Sequence, residues 1–246
     1  MTVKTYGVMF KAEMIRAYIK GIKNQTRRLK GLEKINRDPD GWKFEGILPV
    51  SNVAMFTNIK KPLLHYSVRP PYGMKDDTLW FKETYAPMCK IADPVCWCET
   101  EEEIKENHYV EYRADTGNLY PGDWPEEEAK GNDEAPKWCS SMFMSQKYSR
   151  FTDIQILKVR VERLHDIKEQ DAILEGIQHN WMGPEPCPPE HADEWMNYLA
   201  DEDGFPCFSA IDGYRSLWDS INGRTFPWKT NPWVFVYEFP KHKEQS

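Results

Sequence analysis

The sequence predicts an α+β, mainly β fold: a small β-barrel with short flanking helices and large loop insertions. Three observations point to it. Strand-like segments return along the chain as "TYGVMF", "DDTLWFKETY", "IQILKVRVERL" and "NPWVFVYEF". The helical patterns between them are short, and long irregular excursions separate them, which does not suit a doubly wound sheet. With 246 residues, 40% hydrophobic and 13% aromatic, the chain can bury a sizeable core. The expected organisation is a single domain, 1–246, with insertions at about 31–70, 87–147 and 179–210.

In chain order, Val3 to Phe10 reads as a first strand, with Tyr6, Val8 and Phe10 on one side. A helix over Glu13 to Lys20 follows, because Ile15, Tyr18, Ile19 and Ile22 recur at helical spacing and Gly21 is a natural left-handed terminator. Leu32 to Pro71 reads as irregular, with turns at "RDPDGW" and "RPPYG" and a hairpin around Trp42 to Leu48. Thr78 to Tyr85 is a strand placing Leu79, Phe81 and Glu83 opposite Trp80, Lys82 and Thr84. Pro87 to Lys147 carries acidic runs and one strand, Tyr109 to Ala114.

Order returns at Ile154 to Leu164, where Leu157, Val159 and Val161 oppose Lys158, Arg160 and Glu162 in a half-buried strand. Asp166 and Glu169 resemble a capping box opening a helix that runs to about Glu175 and is stopped by Gly176. After a Pro-rich and acidic stretch, Gly183 to Phe208, a helix over Gly213 to Asn222 and a buried strand close the chain.

Composition excludes several classes. A net charge of -7 argues against coating duplex DNA, since that binding neutralises phosphates. No apolar run nears the roughly 20 residues of a membrane span, and "MTVKTYGVMFKAEM" lacks the apolar core of a signal peptide. The expectation is a soluble, cytoplasmic protein without membrane contact. The six cysteines then read as reduced thiols. "CKIADPVCWC" lacks the ligand spacing of a structural zinc site. No Gly-rich phosphate loop or nucleophilic triad appears.

The stretch "GIKNQTRRLKG" carries the first candidate chemistry. A threonine hydroxyl is a poor nucleophile until a base takes its proton, and a lysine does so only when neutral. Moving Lys23 from about 10.4 to near 7 takes roughly 4 kcal/mol, from burial or from neighbours such as Arg27 and Arg28. The same arginines suit an oxyanion or a phosphate. On spacing alone, the simpler explanation is that these cations complement a helix C-terminus. Glu175 sits at a helix end that disfavours negative charge; the simpler alternative is a solvated glutamate. Glu83 points inward with Leu79 and Phe81 and needs a partner such as an arginine. Tyr112, Arg113 and Asp115 in "EYRAD" are candidates to line the same mouth. Trp80, Trp218 and Trp233 read as core, whereas Trp42, Trp138 and Trp228 suit stacking on a planar base.

Gly21, Lys23, Thr26 and Arg28 fit the G-x-K-x-x-T-x-R signature of ASCH domains. The ordered blocks "FKAEMIRAYIKGIKNQTRR", "PYGMKDDTLWFKETY", "YRAD", "VERLHDIKEQDAILEGI", "YRSLWDSING" and "NPWVFVYEF" resemble the longer phage and prophage members of that family. The resemblance covers about half the chain and implies a PUA-like small β-barrel. Some small ASCH proteins are amidohydrolases that deacylate N(4)-acetylcytidine. By that resemblance Lys23 is the base, Thr26 the nucleophile and Glu175 the proton handler. Arg27, Arg28, Glu83, Tyr112 and Arg113 are expected to bind the substrate. No metal or other cofactor is implied. The expected partner is a nucleoside-sized substrate. The alternatives are a module that binds RNA or single-stranded nucleic acid through Lys23, Arg27 and Arg28, and a ribonuclease.

Overall fold

A computed structural model describes residues 2–89, 108–115, 138–180, 194–199 and 205–242. Its described elements are β1 (Thr5–Met9), α1 (Ala12–Ile19), β2 (Gln25–Arg28), β3 (Trp42–Leu48), β4 (Val53–Asn58), β5 (His65–Val68), β6 (Thr78–Lys82), β7 (Tyr85–Cys89), β8 (His108–Tyr112), β9 (Ile154–Gln155), β10 (Lys158–Arg163), α2 (Glu169–Leu174), α3 (Ala210–Asn222) and β11 (Trp233–Glu238). The fold is mixed α/β, rich in strands and with few helices. The chain divides into two compact units: 1–6, 17–79 and 153–246 form the first, 7–16 and 80–152 the second. The acidic runs after Cys89 and the Cys96/Cys98 pair lie outside the described residues.

In the first unit the apolar run of β11 is the middle strand of the sheet β10-β11-β2. Both neighbours are antiparallel, with Val161 opposite Phe235 on one side and Thr26 opposite Tyr237 on the other. Its residues from Val234 to Tyr237 are fully buried, as a strand covered on both faces requires. The same core holds Leu32, Ile35, Phe56, Leu79, Ile156 and Phe239.

Sequence alternation anticipates a single strand over Ile154 to Leu164, but the chain changes partners midway. Ile154 and Gln155 pair with Leu79 and Thr78. Ile156 N–H then bonds to the Asp77 carbonyl, and Leu157 N–H to that of Glu238. Among the described residues none of the sheets β1-β6-β9, β10-β11-β2, β3-β4-β5 and β7-β8 closes on itself. The closed barrel expected from the sequence is therefore not formed by the described backbone.

Residues 31–70 also differ from expectation. They hold the antiparallel sheet β3-β4-β5, and Trp42, expected in an irregular segment, is buried near Tyr66. The hairpin expected around Trp42 to Leu48 is present as β3 and β4, with a register shift between Phe44 and Gly46, where Gly46 takes φ +133°, and β5 extends it. Such a bulge breaks the period-two signal.

The second unit packs Phe81 between Phe10 and Phe151, with ring centroids 4.7 and 6.0 Å away. The strand expected over Thr78 to Tyr85 is interrupted at Glu83 and Thr84, giving β6 and then the β7-β8 hairpin. The Glu83 N–H points to the Met144 sulfur instead of a strand partner.

Candidate functional site

The stretch from Gly21 to Arg28 is a helix stop that launches a strand. Gly21 takes φ +68°, the left-handed conformation that ends helices. The N–H groups of Ile22 and Lys23 both return to the Ala17 carbonyl, at 2.9 and 3.1 Å. Asn24 N–H then bonds to Leu174 O at the end of α2, and β2 joins β11. Lys23 is thus carried inside: it is 1% exposed, with Thr26 at 4% and Glu175 at 3%. A solvated helix-end lysine is not what the chain makes here.

Lys23 Nζ donates to the Gln25 carbonyl at 2.8 Å and to the Glu175 carbonyl, and lies 3.4 Å from Glu175 Oε2. Burial pulls its ammonium down to about 8, because the charged form is poorly solvated inside. Glu175 opposes that shift, whereas Arg28 and Arg27 add to it. A lysine so placed is substantially neutral in mildly alkaline solution.

Glu175 is the C-cap of α2, followed by Gly176 at φ +103°. This is the stop expected from the sequence. The start differs: Asp166 caps the backbone N–H of Arg163 in a preceding turn, while Glu169 accepts from the N–H groups of Ala210 and Ile211 at the start of α3.

Alternation along β2 separates two sets of side chains. Gln25 and Arg27 face the polar side. The Arg27 guanidinium, 0% exposed, bonds to Glu162 Oε1 at 2.6 and 3.0 Å and to Glu175 Oε1 at 2.9 Å, with Asp171 Oδ2 at 3.6 Å. Burial works against its charge, but Glu175, Tyr214 and Glu162 more than compensate, so Arg27 is held charged. Arg27, expected to bind substrate or phosphate, has its guanidinium directed at three carboxylates, those of Glu162, Glu175 and Asp171.

Thr26 and Arg28 face the other side with Tyr237. Arg28 Nε donates to Thr26 Oγ1 at 3.1 Å, an arrangement that favours a developing alkoxide. Burial lowers the Arg28 pKa, with Tyr72 and Glu175 acting in the opposite direction. Burial also raises the Tyr237 hydroxyl well beyond its ordinary value, and that hydroxyl accepts from Tyr72 N–H at 3.2 Å.

Glu83 and Tyr112 belong to the second unit, as does Arg113. Glu83 finds the arginine partner it needs in Arg150, which bonds both carboxylate oxygens at 3.0 and 2.9 Å, pairs with Asp115, and lies 4.2 Å above the Tyr112 ring. Desolvation raises the Glu83 pKa against the pull of Arg150. Glu83, Asp115 and Tyr112, three of the residues that the sequence reading placed at a substrate mouth, are thus gathered around Arg150. Arg113 N–H bonds to the Thr84 carbonyl, bracing the hairpin. Trp228, expected to be available for stacking, packs near His165 and Tyr214.

Sequence inspection missed Glu162, Asp171, Gln25 and Asn24. The polar residues of "KVRVER" alternate correctly, but nothing local says that their face meets β2. Asn24 Oδ1 is buried with no hydrogen-bond partner among the described residues, and Asn24 lies two residues before Thr26. No family model, no curated protein and no solved structure matches the chain.

Proposed function

We propose that the protein is an amidohydrolase that removes the acyl group from N(4)-acylated cytidine or a close analogue, through a Thr26 nucleophile activated by Lys23. The observation that carries this function is the buried Lys23 amine, pulled down to about 8, against Glu175 and three residues before Thr26. The resemblance to ASCH domains supports it.

In this mechanism neutral Lys23 turns from the Gln25 carbonyl and takes the Thr26 proton, and Oγ1 attacks the acyl carbonyl. Arg28 stabilises the alkoxide and the oxyanion that follows. The tetrahedral intermediate collapses as the carbon–nitrogen bond breaks. The Lys23 proton passes, with Glu175 as relay, to the departing cytosine amine. Water, deprotonated by the same pair, then hydrolyses the Thr26 ester, releasing the carboxylic acid and restoring the hydroxyl. The nucleic-acid-binding alternative loses ground because Arg27 is enclosed and Lys23 is buried.

The test is to incubate the protein with N(4)-acetylcytidine and bulkier acyl analogues and follow cytidine by chromatography, with Lys23→Ala, Thr26→Ala and Glu175→Ala alongside. Turnover lost in all three variants is expected. Wild-type rates in Thr26→Ala would remove the nucleophile assignment, and no wild-type turnover on any analogue would overturn the function.

A further inference from the structure

Glu175 divides its carboxylate between two cations. Oε1 lies 2.9 Å from Arg27 Nη1, and Oε2 lies 3.4 Å from Lys23 Nζ. The shorter bond goes to the residue that cannot lose its proton. Arg27 is anchored from behind by Glu162 on β10 and by Asp171 on α2, and lies over the Tyr214 ring of α3. Among the described residues, the charged groups acting on Lys23 include Glu175 at the end of α2 and Arg27 and Arg28 on β2, with Glu162 and Asp171 paired to Arg27 behind them.

We infer that Arg27 is a positioning residue that fixes Glu175 and neutralises part of its charge, so that Glu175 can contact Lys23 without locking it as an ammonium. Were Glu175 paired with Lys23 alone, the buried pair would favour the ionised state of both, because an opposite charge within about 4–6 Å stabilises the charged form. A base must be able to lose its proton. A guanidinium on the other carboxylate oxygen lets a general base and its relay acid sit in contact. The Nε and Nη2 contacts to Glu162 also orient the fork, and a lysine, with a point charge on a flexible stem, does not reproduce that geometry. The inference deepens the proposed function, but its charge relationship exists in the folded protein with or without substrate.

The sign of each substitution follows. Arg27→Gln removes a repelling cation and exposes the full Glu175 charge, so Lys23 should hold its proton to higher pH. Glu162→Gln leaves more of the Arg27 charge uncompensated and lets it lean toward Glu175, so Lys23 should lose its proton at lower pH. General loosening of the fold would not move the two variants in opposite directions.

The experiment is an NMR titration of full-length protein carrying 13C-labelled lysine, with the Lys23 Cε signal identified by its loss in Lys23→Met. An upward shift of about one pH unit or more in Arg27→Gln, and a downward shift in Glu162→Gln, are expected. The acid limb of kcat/KM for N(4)-acetylcytidine should move with the same signs. An unmoved titration, or shifts of the same sign in both variants, would overturn the inference. If Arg27→Gln does not fold, Glu162→Gln decides alone, and an unshifted or rising Lys23 titration counts against it. Opposite shifts in a protein without turnover would leave the charge relationship standing and remove only the amidohydrolase function.

Discussion

Lys23 packs against the α-carbon of Gly176 so closely that a methyl group there would meet its Cβ at 3.3 Å and its Cδ at 3.4 Å, with the Ala17 Cβ at 3.0 Å. Gly176 also takes φ +103°, a conformation that side chains rarely adopt. The residue that stops α2 thus also makes room for the lysine stem, and so brings Glu175 and Lys23 into contact.

Gly176→Ala should therefore cost more than an ordinary helix-end change. A destabilisation of about 1–3 kcal/mol is expected from the backbone strain, with the lysine displaced as well. Chemical denaturation measures the first effect. Turnover of N(4)-acetylcytidine, falling more than the loss of folded protein explains, measures the second. An unchanged midpoint would show that the turn relaxes freely.

The buried amine also makes stability depend on pH. Lys23 is held near 8 in the fold against an ordinary value of 10.5, so the unfolded chain binds the extra proton between those two values. Stability should rise with pH through that window, and below it the buried charge costs on the order of 3 kcal/mol. Denaturation of the wild type and of Lys23→Met at pH 7 and pH 10 isolates the effect. The difference between them should move in favour of the wild type at the higher pH, and a pH-independent difference contradicts it.

Thr26→Ser keeps the hydroxyl and should retain measurable deacylation, whereas Thr26→Val keeps the shape and should lose it. Removal of a nucleophile costs several orders of magnitude in kcat in comparable hydrolases. Equal activity in the two variants would rule out attack by Oγ1.

Asn24 presents a buried oxygen with no partner among the described residues, two positions before Thr26 in the chain. Buried polar groups left unpaired commonly mark a functional role, here an acceptor for a hydrogen-bond donor of the substrate. Asn24→Leu should raise KM about tenfold, the weight of one hydrogen bond, while leaving the stability of the fold nearly unchanged. A loss confined to kcat would point to another role.

In the second unit, Arg150→Met leaves the Glu83 carboxylate, 1% exposed, buried without its cation. A loss of about 3–5 kcal/mol is expected at neutral pH. Because burial already raises the Glu83 pKa, the variant should recover part of its stability as the pH falls and the carboxylate takes up a proton. Thermal melts at pH 7 and pH 5 would show a smaller gap to the wild type at the lower pH.

The sequence by itself determined the elements whose period is regular and whose ends are marked. The buried strand "WVFVYE", the helical spacing before Gly21 and the stop at Gly176 all appear as read. Those marks place Lys23 just after one helix stop and Glu175 just before another, their grouping with Thr26 comes from the resemblance to ASCH domains, and the inward alternation of Glu83 correctly demanded an arginine. Tertiary structure alone decided what these residues face. Lys23 and Glu175 are 152 positions apart, and the partner that encloses Arg27 comes from β10, across β11. Periodicity is a local property and survives in one dimension. The charge state of a buried lysine is set by the water it has lost and by neighbours that only the packed sheet and helix bring within a few ångströms.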